Sequence, residues 1–205
     1  MIKAFINKLQ TMQKELLIES AYFVTRDRGV ETVRQLTDRG VRIRVLTNSL
    51  ASNDVVAAHA GHAKRRKELI EAGMELYEYR PDSMVSKTRA WRGASKAALH
   101  TKAIVFDRES VFIGSFNMDP RSSDINTEAG LYVESPELAE QVADYMDEGV
   151  WPENSYRVLV DEDGDLVWVT EIDDAEVRYH EDPETTFGQR FMSGFIMILP
   201  VEQQL

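Results

Sequence analysis

Cysteine is absent from the 205 residues, which excludes disulfides and thiolate metal ligands and fits a reducing compartment. Long apolar runs are missing too. The N-terminal MIKAFINKLQTMQKELLIES lacks the continuous apolar core and small-residue cleavage site of a secretory signal. FMSGFIMILP near the end is only about half the length that spans a bilayer. It reads as a final helix docked in the core, with a membrane-surface anchor as the less favoured alternative. Repeats, low-complexity tracts and linkers are also lacking, so one domain over 1–205 is expected. An apolar fraction of 43% with 29% charged residues argues against disorder. The cytoplasm is the simplest location, with peripheral contact at the inner membrane face left open.

Charge of one sign is scarce in the last third. Between Glu134 and Glu184 there are 18 acidic and 2 basic residues, whereas the first 133 residues hold 16 acidic and 21 basic ones. The first two thirds can receive an anion; the acidic third would repel one unless it forms a solvated surface away from the site.

What is present reads as an α/β fold, a mixed, mainly β sheet flanked by helices. KELLIESAYFV is a buried strand, GVETVRQLTDRG an amphipathic helix closed by glycine, and VRIRVLTNS a second strand parallel to the first. DVVAAHAGHAKRRKELIEAG repeats the helical pattern up to Gly73, and MELYEYRP is a strand stopped by Pro81. A basic loop, DSMVSKTRAWRGASKAA, leads to LHTKAIVFDRESVFIGSFN, a hairpin. A loop over Met118–Thr127 and the strand EAGLYVE follow. SPELAEQVADYMDEGVW opens with a serine cap and a proline at the first helical position. YRVLVDEDGDLVWVTEID alternates about Asp163-Gly164 as a second hairpin.

With DRES as the first hairpin's loop, Phe106 is expected opposite Val111, Lys102 opposite Ser115 and His100 opposite Asn117. All four polar side chains would then emerge on one face. Without a carboxylate among them they make a poor metal site. They make a good phosphate site: Lys102 supplies charge, while Ser115 and Asn117 donate to non-bridging oxygens. His100 can act as nucleophile or proton carrier, with Glu128 as acceptor for its other ring nitrogen.

His100, Lys102 and Asp107 spell H-x-K-x4-D, and Gly114-Ser115-Phe116-Asn117 spell G-S-x-N. The pair resembles the phospholipase D superfamily. MDPRSSDINTE, VLTNSLASNDVVAAHAGHAKRRKELIEAGMELYEYRP and RFMSGFIMILPVEQQL resemble its bacterial cardiolipin synthase branch, as the C-terminal half of such a protein. The resemblance implies a phospholipase D-like fold bearing one motif, and phosphatidyl transfer or phosphodiester hydrolysis through a phosphohistidine with neither metal nor cofactor. It makes His100 the nucleophile or its acid partner. Lys102 and Asn117 would hold the phosphate, Ser115 would line the pocket, and Glu128 would orient the imidazole. Asp107 becomes a structural, ion-pairing residue, Arg121 an added phosphate contact and His59 a residue bordering the pocket.

Family sites use two motifs face to face, and only one is here. His62-Ala63-Lys64 begins a second match, but Leu69 stands at the aspartate position on a helical pattern. The implied partners are a phospholipid and either a second copy of the chain or a separate N-terminal half. A dimeric nuclease is the alternative within the same chemistry, disfavoured by the acidic third. An isolated half-enzyme that binds phosphate ligands or a partner chain without turnover is another. The chain reads more as a fragment of a two-motif synthase than as a natural single-motif protein.

Other clusters carry less. His59 and His62, at i and i+3, lack a third metal ligand. Lys64-Arg65-Arg66-Lys67 reads as a solvated helix face. Lys87, Arg89, Arg92 and Lys96, with Trp91 among them, suit a lipid headgroup, an acidic membrane surface or a nucleic-acid backbone.

Overall fold

A computed structural model describes residues 2–53, 55–83 and 98–198. Its described strands are β1 (Glu15–Ser20), β2 (Arg42–Asn48), β3 (Met74–Tyr79), β4 (Lys102–Phe106), β5 (Ser110–Gly114), β6 (Gly130–Glu134), β7 (Ser155–Val160), β8 (Leu166–Ile172) and β9 (Ala175–Tyr179). They form one sheet in the order β6-β5-β4-β1-β2-β3-β7-β8-β9. The helices are α1 (Ile2–Thr11), α2 (Asp27–Asp38), α3 (Val56–Glu71), the single turn α4 (Pro120–Asp124), α5 (Pro136–Gly149) and α6 (Phe187–Ile198). The mixed α/β architecture matches the reading of the sequence.

Parallel pairing of β1, β2 and β3 through α2 and α3 forms the centre of the sheet. Parallel strands covered on both faces are near-continuously apolar, and the ELLIES and RIRVLTN segments are buried from their second residue onward. Gly73, at φ 95°, ends α3 by returning its N–H to the Ile70 carbonyl, a left-handed cap that glycine adopts without steric cost. The larger core lies on one face, where Leu16, Ile18, Ile43, Ile104 and Phe106 meet Val33 and Leu36 of α2. On the other face Leu17, Val105 and Val111 meet Ala139, Ala143 and Met146 of α5. The Ser135 cap of α5 accepts from Leu138 N with Pro136 at the first turn, as its sequence predicts.

The β4–β5 register differs from expectation by one residue. Phe106 pairs with Ser110, Val105 with Val111 and Ala103 with Ile113. The loop is three residues, Asp107 to Glu109, closed by Glu109 N donating to Phe106 O at 2.9 Å. Asp107 and Arg108 hold left-handed φ values of 54° and 55°, a conformation uncommon outside glycine and better tolerated by aspartate than by arginine. Continued by one step, the ladder sets Lys102 level with Gly114, not Ser115.

Two further differences concern buried or exposed faces. Arg66 belongs to no solvated face: it is 2% exposed, with Nε 3.0 Å from Glu78 Oε1, Nη2 3.1 Å from Asp182 Oδ1, and its guanidinium 4.9 Å from the Trp168 ring centroid. His62 joins the same network, its ring nitrogens 3.1 Å from Phe23 O and 3.2 Å from Glu78 Oε1, and Trp168 Nε1 donates to Glu78 Oε2. Helix α6 docks on α3 and buries Ser193, yet leaves Phe187, Phe191, Met192 and Phe195 exposed, so its docking in the core is only one-sided. No described helix is long and apolar enough to cross a membrane. The expected basic loop, with Lys87, Arg89, Trp91, Arg92 and Lys96, lies almost wholly outside the described residues.

Candidate active site

Ser20, Asn48 and Lys102 stand at neighbouring ends of β1, β2 and β4, with Ser20 directly paired to Lys102. Beyond these ends the chain is held by side chains. Asn48, 2% exposed, donates through Nδ2 to Ala21 O and Leu99 O, each at 3.0 Å, and accepts through Oδ1 from Leu99 N at 2.8 Å and Ser52 Oγ at 3.1 Å. Every donor and lone pair of the carboxamide is thereby used. Asn48 thus grips both backbone groups of Leu99, the residue before His100, in the manner of a neighbouring strand. Ala21 N donates to Thr101 O on the other side of that histidine.

The second segment is fixed similarly. Met118 N donates to Ser20 Oγ at 3.1 Å, and Met118 O accepts from Val24 N at 2.7 Å. That clamps the chain immediately after Asn117. Before it, the ladder ends at Gly114, and the chain bends at Ser115. Face-counting therefore stops there. Gly114 is required at this point: a Cβ would sit 2.4 Å from Ala129 O and 2.8 Å from Gly130 Cα.

Around this frame the polar groups gather. Lys102 is half-buried and donates from Nζ to His100 O at 2.9 Å. Burial lowers the pKa of its ammonium, opposed by the negative charges of Glu128 and Asp119. The Ser115 hydroxyl donates to the Glu128 carboxylate, whose other oxygen accepts from Asn126 Nδ2 at 3.2 Å. The bond from Ser115 is the main reason Glu128 titrates below the usual carboxylate range. Asp119 caps α4 by accepting from Ser122 N at 2.7 Å, and burial raises its pKa despite that bond. Asn117 is half-buried, and its Oδ1 is buried without a hydrogen-bond partner among the described residues. The His100 side chain is exposed.

The sequence placed His100, Lys102, Ser115, Asn117 and Glu128 together. In the structure Lys102, Ser115 and Glu128 are joined by bonds and charge, and the backbone of His100 meets Lys102. Glu128 bonds Ser115 and Asn126, and the imidazole is not among its partners. Asp107 differs in detail: among the described residues it makes no ion pair but accepts from Gln13 N, Lys14 N and Glu15 N at 2.9, 2.7 and 3.0 Å, a three-amide nest that fixes the start of β1. Arg121 is exposed in the last turn of α4. His59 is 1% exposed, and its Nε2 lies 3.0 Å from Arg66 Nη2 and 3.4 Å from Asp182 Oδ1. Its partners belong to the buried network, not to the group around Lys102. Asn48, Ser20 and Asp119 were not anticipated. A polar residue closing a buried strand is the only local signal for the first two, and D-P-R-S-S, an aspartate cap before proline, is the signal for the third.

Residues 5–151 match the family described as "Cardiolipin synthase, PLD-like domain". Over 188 residues the chain is 40% identical to cardiolipin synthase C of Escherichia coli K12, covering 90% of this chain and 40% of that protein. It is 28% identical over 147 residues to the cardiolipin synthase of Alkalihalophilus pseudofirmus, covering 70% of this chain and 25% of that protein. It therefore spans well under half the length of these relatives. Its fold is similar to that of Nuc, a phospholipase D family member from Salmonella typhimurium, with a TM-score of 0.55 at 19% identity over 76% of this chain and 90% of that one. By the span of the family match, this chain belongs to the family of phospholipase D-like domains described for cardiolipin synthase.

Proposed function

We propose that the chain supplies one half of an active site for phosphatidyl transfer or phosphodiester hydrolysis. The observation that carries the reading is the meeting of Lys102, Ser115 and Glu128 beside the backbone of His100, on segments pinned by buried side chains. A ring nitrogen of His100 attacks the phosphorus, forming the P–N bond as the P–O bond to the leaving alcohol breaks. The alkoxide takes its proton from a second histidine. An alcohol or water then attacks phosphorus and returns that proton, and the P–N bond breaks. Lys102 and Asn117 neutralise and orient the equatorial oxygens, where preorganised donors act most strongly. Ser115, held by Glu128, lines the same pocket, with Arg121 as an outer phosphate contact.

The second histidine comes from another copy of the chain or from a separate N-terminal half, acting on the cytoplasmic side of the membrane. The test is to incubate the chain, alone and with that half, with radiolabelled phosphatidylglycerol and to quench for acid-labile label on His100. Expected is a labelled histidine that His100→Ala abolishes while the melt is unchanged. Label retained in His100→Ala overturns the assignment, and label from single-stranded DNA in place of lipid turns it to the nuclease reading.

A further inference from the structure

Beside the site the larger core is not closed. Between α1, α2 and the sheet lies a cavity of about 500 Å³. Phe5 and Leu9 of α1, Val33 of α2, and Ile104 and Phe112 of the sheet are among its walls. Its polar neighbours are few, Thr25, Arg28, Thr32, Ser123 and Tyr132, and the Thr25 hydroxyl is buried without a hydrogen-bond partner among the described residues. Phe116 and Met118, which flank Asn117 in the chain, are also among its walls.

Protein interiors are close-packed, and an apolar space of this size is not held by water. Its volume falls within the range of small-molecule sites. An extended peptide would bring a row of N–H and C=O groups that these few side chains could not all pair, at a cost of several kcal/mol. A helix pairs its own backbone, but at a diameter of about 10 Å one turn fills roughly 420 Å³, so barely a turn would fit. A saturated alkyl chain needs no partner. At roughly 30 Å³ per methylene, about the volume of a water, the cavity holds about sixteen carbons.

We propose that this cavity takes one long acyl chain, that of the diacyl substrate, with the head group left beside Asn117 and Lys102. The substrate part rests on the proposed function; the binding part does not. Thr32 on the rim and Val33 inside it belong to α2 and have no place in the chemistry, so Thr32→Trp and Val33→Phe obstruct the cavity without touching the site.

The experiment titrates the intact chain with cis-parinaric acid, followed by its fluorescence, and displaces it with palmitate or octanoate. Expected is saturable binding at one site per chain, unchanged in His100→Ala, at least tenfold tighter for palmitate than octanoate, and weakened at least tenfold by each variant. Should Val33→Phe fold poorly, Thr32→Trp carries the result. Absence of saturable binding, or binding indifferent to both variants, overturns the proposal whatever the histidine label shows. To distinguish the source, labelling is repeated with dipalmitoyl and dioctanoyl phosphatidylglycerol. A variant defect confined to the dipalmitoyl substrate supports the substrate chain. Equal labelling of both with palmitate binding intact overturns that part and assigns the cavity to free fatty acid. Palmitate binding without any label refutes the proposed reaction and leaves the cavity site standing.

Discussion

Asn48→Asp isolates the carboxamide that grips the backbone before His100. The substitution keeps shape and volume but replaces the Nδ2 donor by an oxygen. That oxygen then faces two carbonyls, Ala21 O and Leu99 O, at the 3.0 Å where Asn48 now donates, in a place only 2% exposed. Leu99 N keeps its acceptor. Two buried carbonyls lose their donor, at about 1–3 kcal/mol each, and Ala21 O retains only a long contact from Thr47 Oγ1 at 3.5 Å. The expected loss is about 2–6 kcal/mol at neutral pH, read as a fall in the urea midpoint without change in slope. A carboxyl so placed prefers its neutral form, which donates one hydrogen bond, so its folded pKa is raised. The deficit relative to the native chain should therefore shrink as pH falls from that raised value toward about 4. Turnover or histidine labelling per folded molecule should fall as well, because the clamp sets the position of His100. A deficit below about 1 kcal/mol, or one that does not change between pH 7.5 and 5, refutes the argument.

Gly114→Ala should lower stability by about 2–3 kcal/mol, since its Cβ meets the backbone of Ala129 and Gly130 and β6 must give way; an unchanged thermal melt would show that the edge strand moves freely. Asp107→Ala should cost about 2–4 kcal/mol through the three amides it leaves unpaired, and a urea midpoint within error of the native chain would remove the nest from the account. Acid should destabilise the chain through His62, whose pKa burial lowers against the bond to Glu78 and with the positive charge of Arg66 and the nearby His59. Below about pH 6.5 the unfolded histidine gains a proton that the folded one refuses, so stability falls with pH. The Glu78 carboxyl, held low by Arg66 and His62 against its burial, adds to the loss below the carboxylate range. His62→Gln should flatten the urea midpoint between pH 7 and 5.5, and an unaltered slope there would exclude His62 as its source.

The central β1-α2-β2-α3-β3 unit was legible because apolar runs and glycine caps act locally. Helix α1 carries a period in Phe5 and Leu9 but no cap to announce it, and β9 follows a tight turn at Asp173-Asp174, whose positive φ values fall to residues weaker in that role than Asn-Gly. The hairpin register depended on Asp107 turning left-handed to reach three amides about 93 residues away in the chain, which no local pattern reveals. Arg66 was different: His59, His62, Arg66 and Leu69 lie at i, i+3, i+7 and i+10, one helix face, so its burial was readable once Glu78 was recognised as the partner inside MELYEY. The H-x-K and G-S-x-N residues could be picked out as a candidate group because they are close in sequence. Asn48 and Ser20 were not, because their partners come from other strands.

The polar residues of this region divide by whether their bonds are complete. Asn48 and Asp107 are buried and bonded, Asn48 to three backbone groups and the Ser52 hydroxyl, Asp107 to three backbone amides. Asn117 keeps a buried oxygen without a partner, Lys102 carries one bond to a carbonyl, and the His100 ring is exposed among the described residues. An unpaired buried acceptor costs about 1–3 kcal/mol, which a frame of completed bonds sustains and a ligand donor would recover. That division is what a preorganised site would require under the proposed function: positions set by groups outside the chemistry, and open valences on those proposed to act. Under the proposed reaction it also bears on which nucleophile would resolve the intermediate. A phosphohistidine on an exposed ring is open to water, and only a covering surface excludes it. By this argument a single chain that labels at all should favour hydrolysis, and transfer to an alcohol should rise with whatever second chain closes over His100.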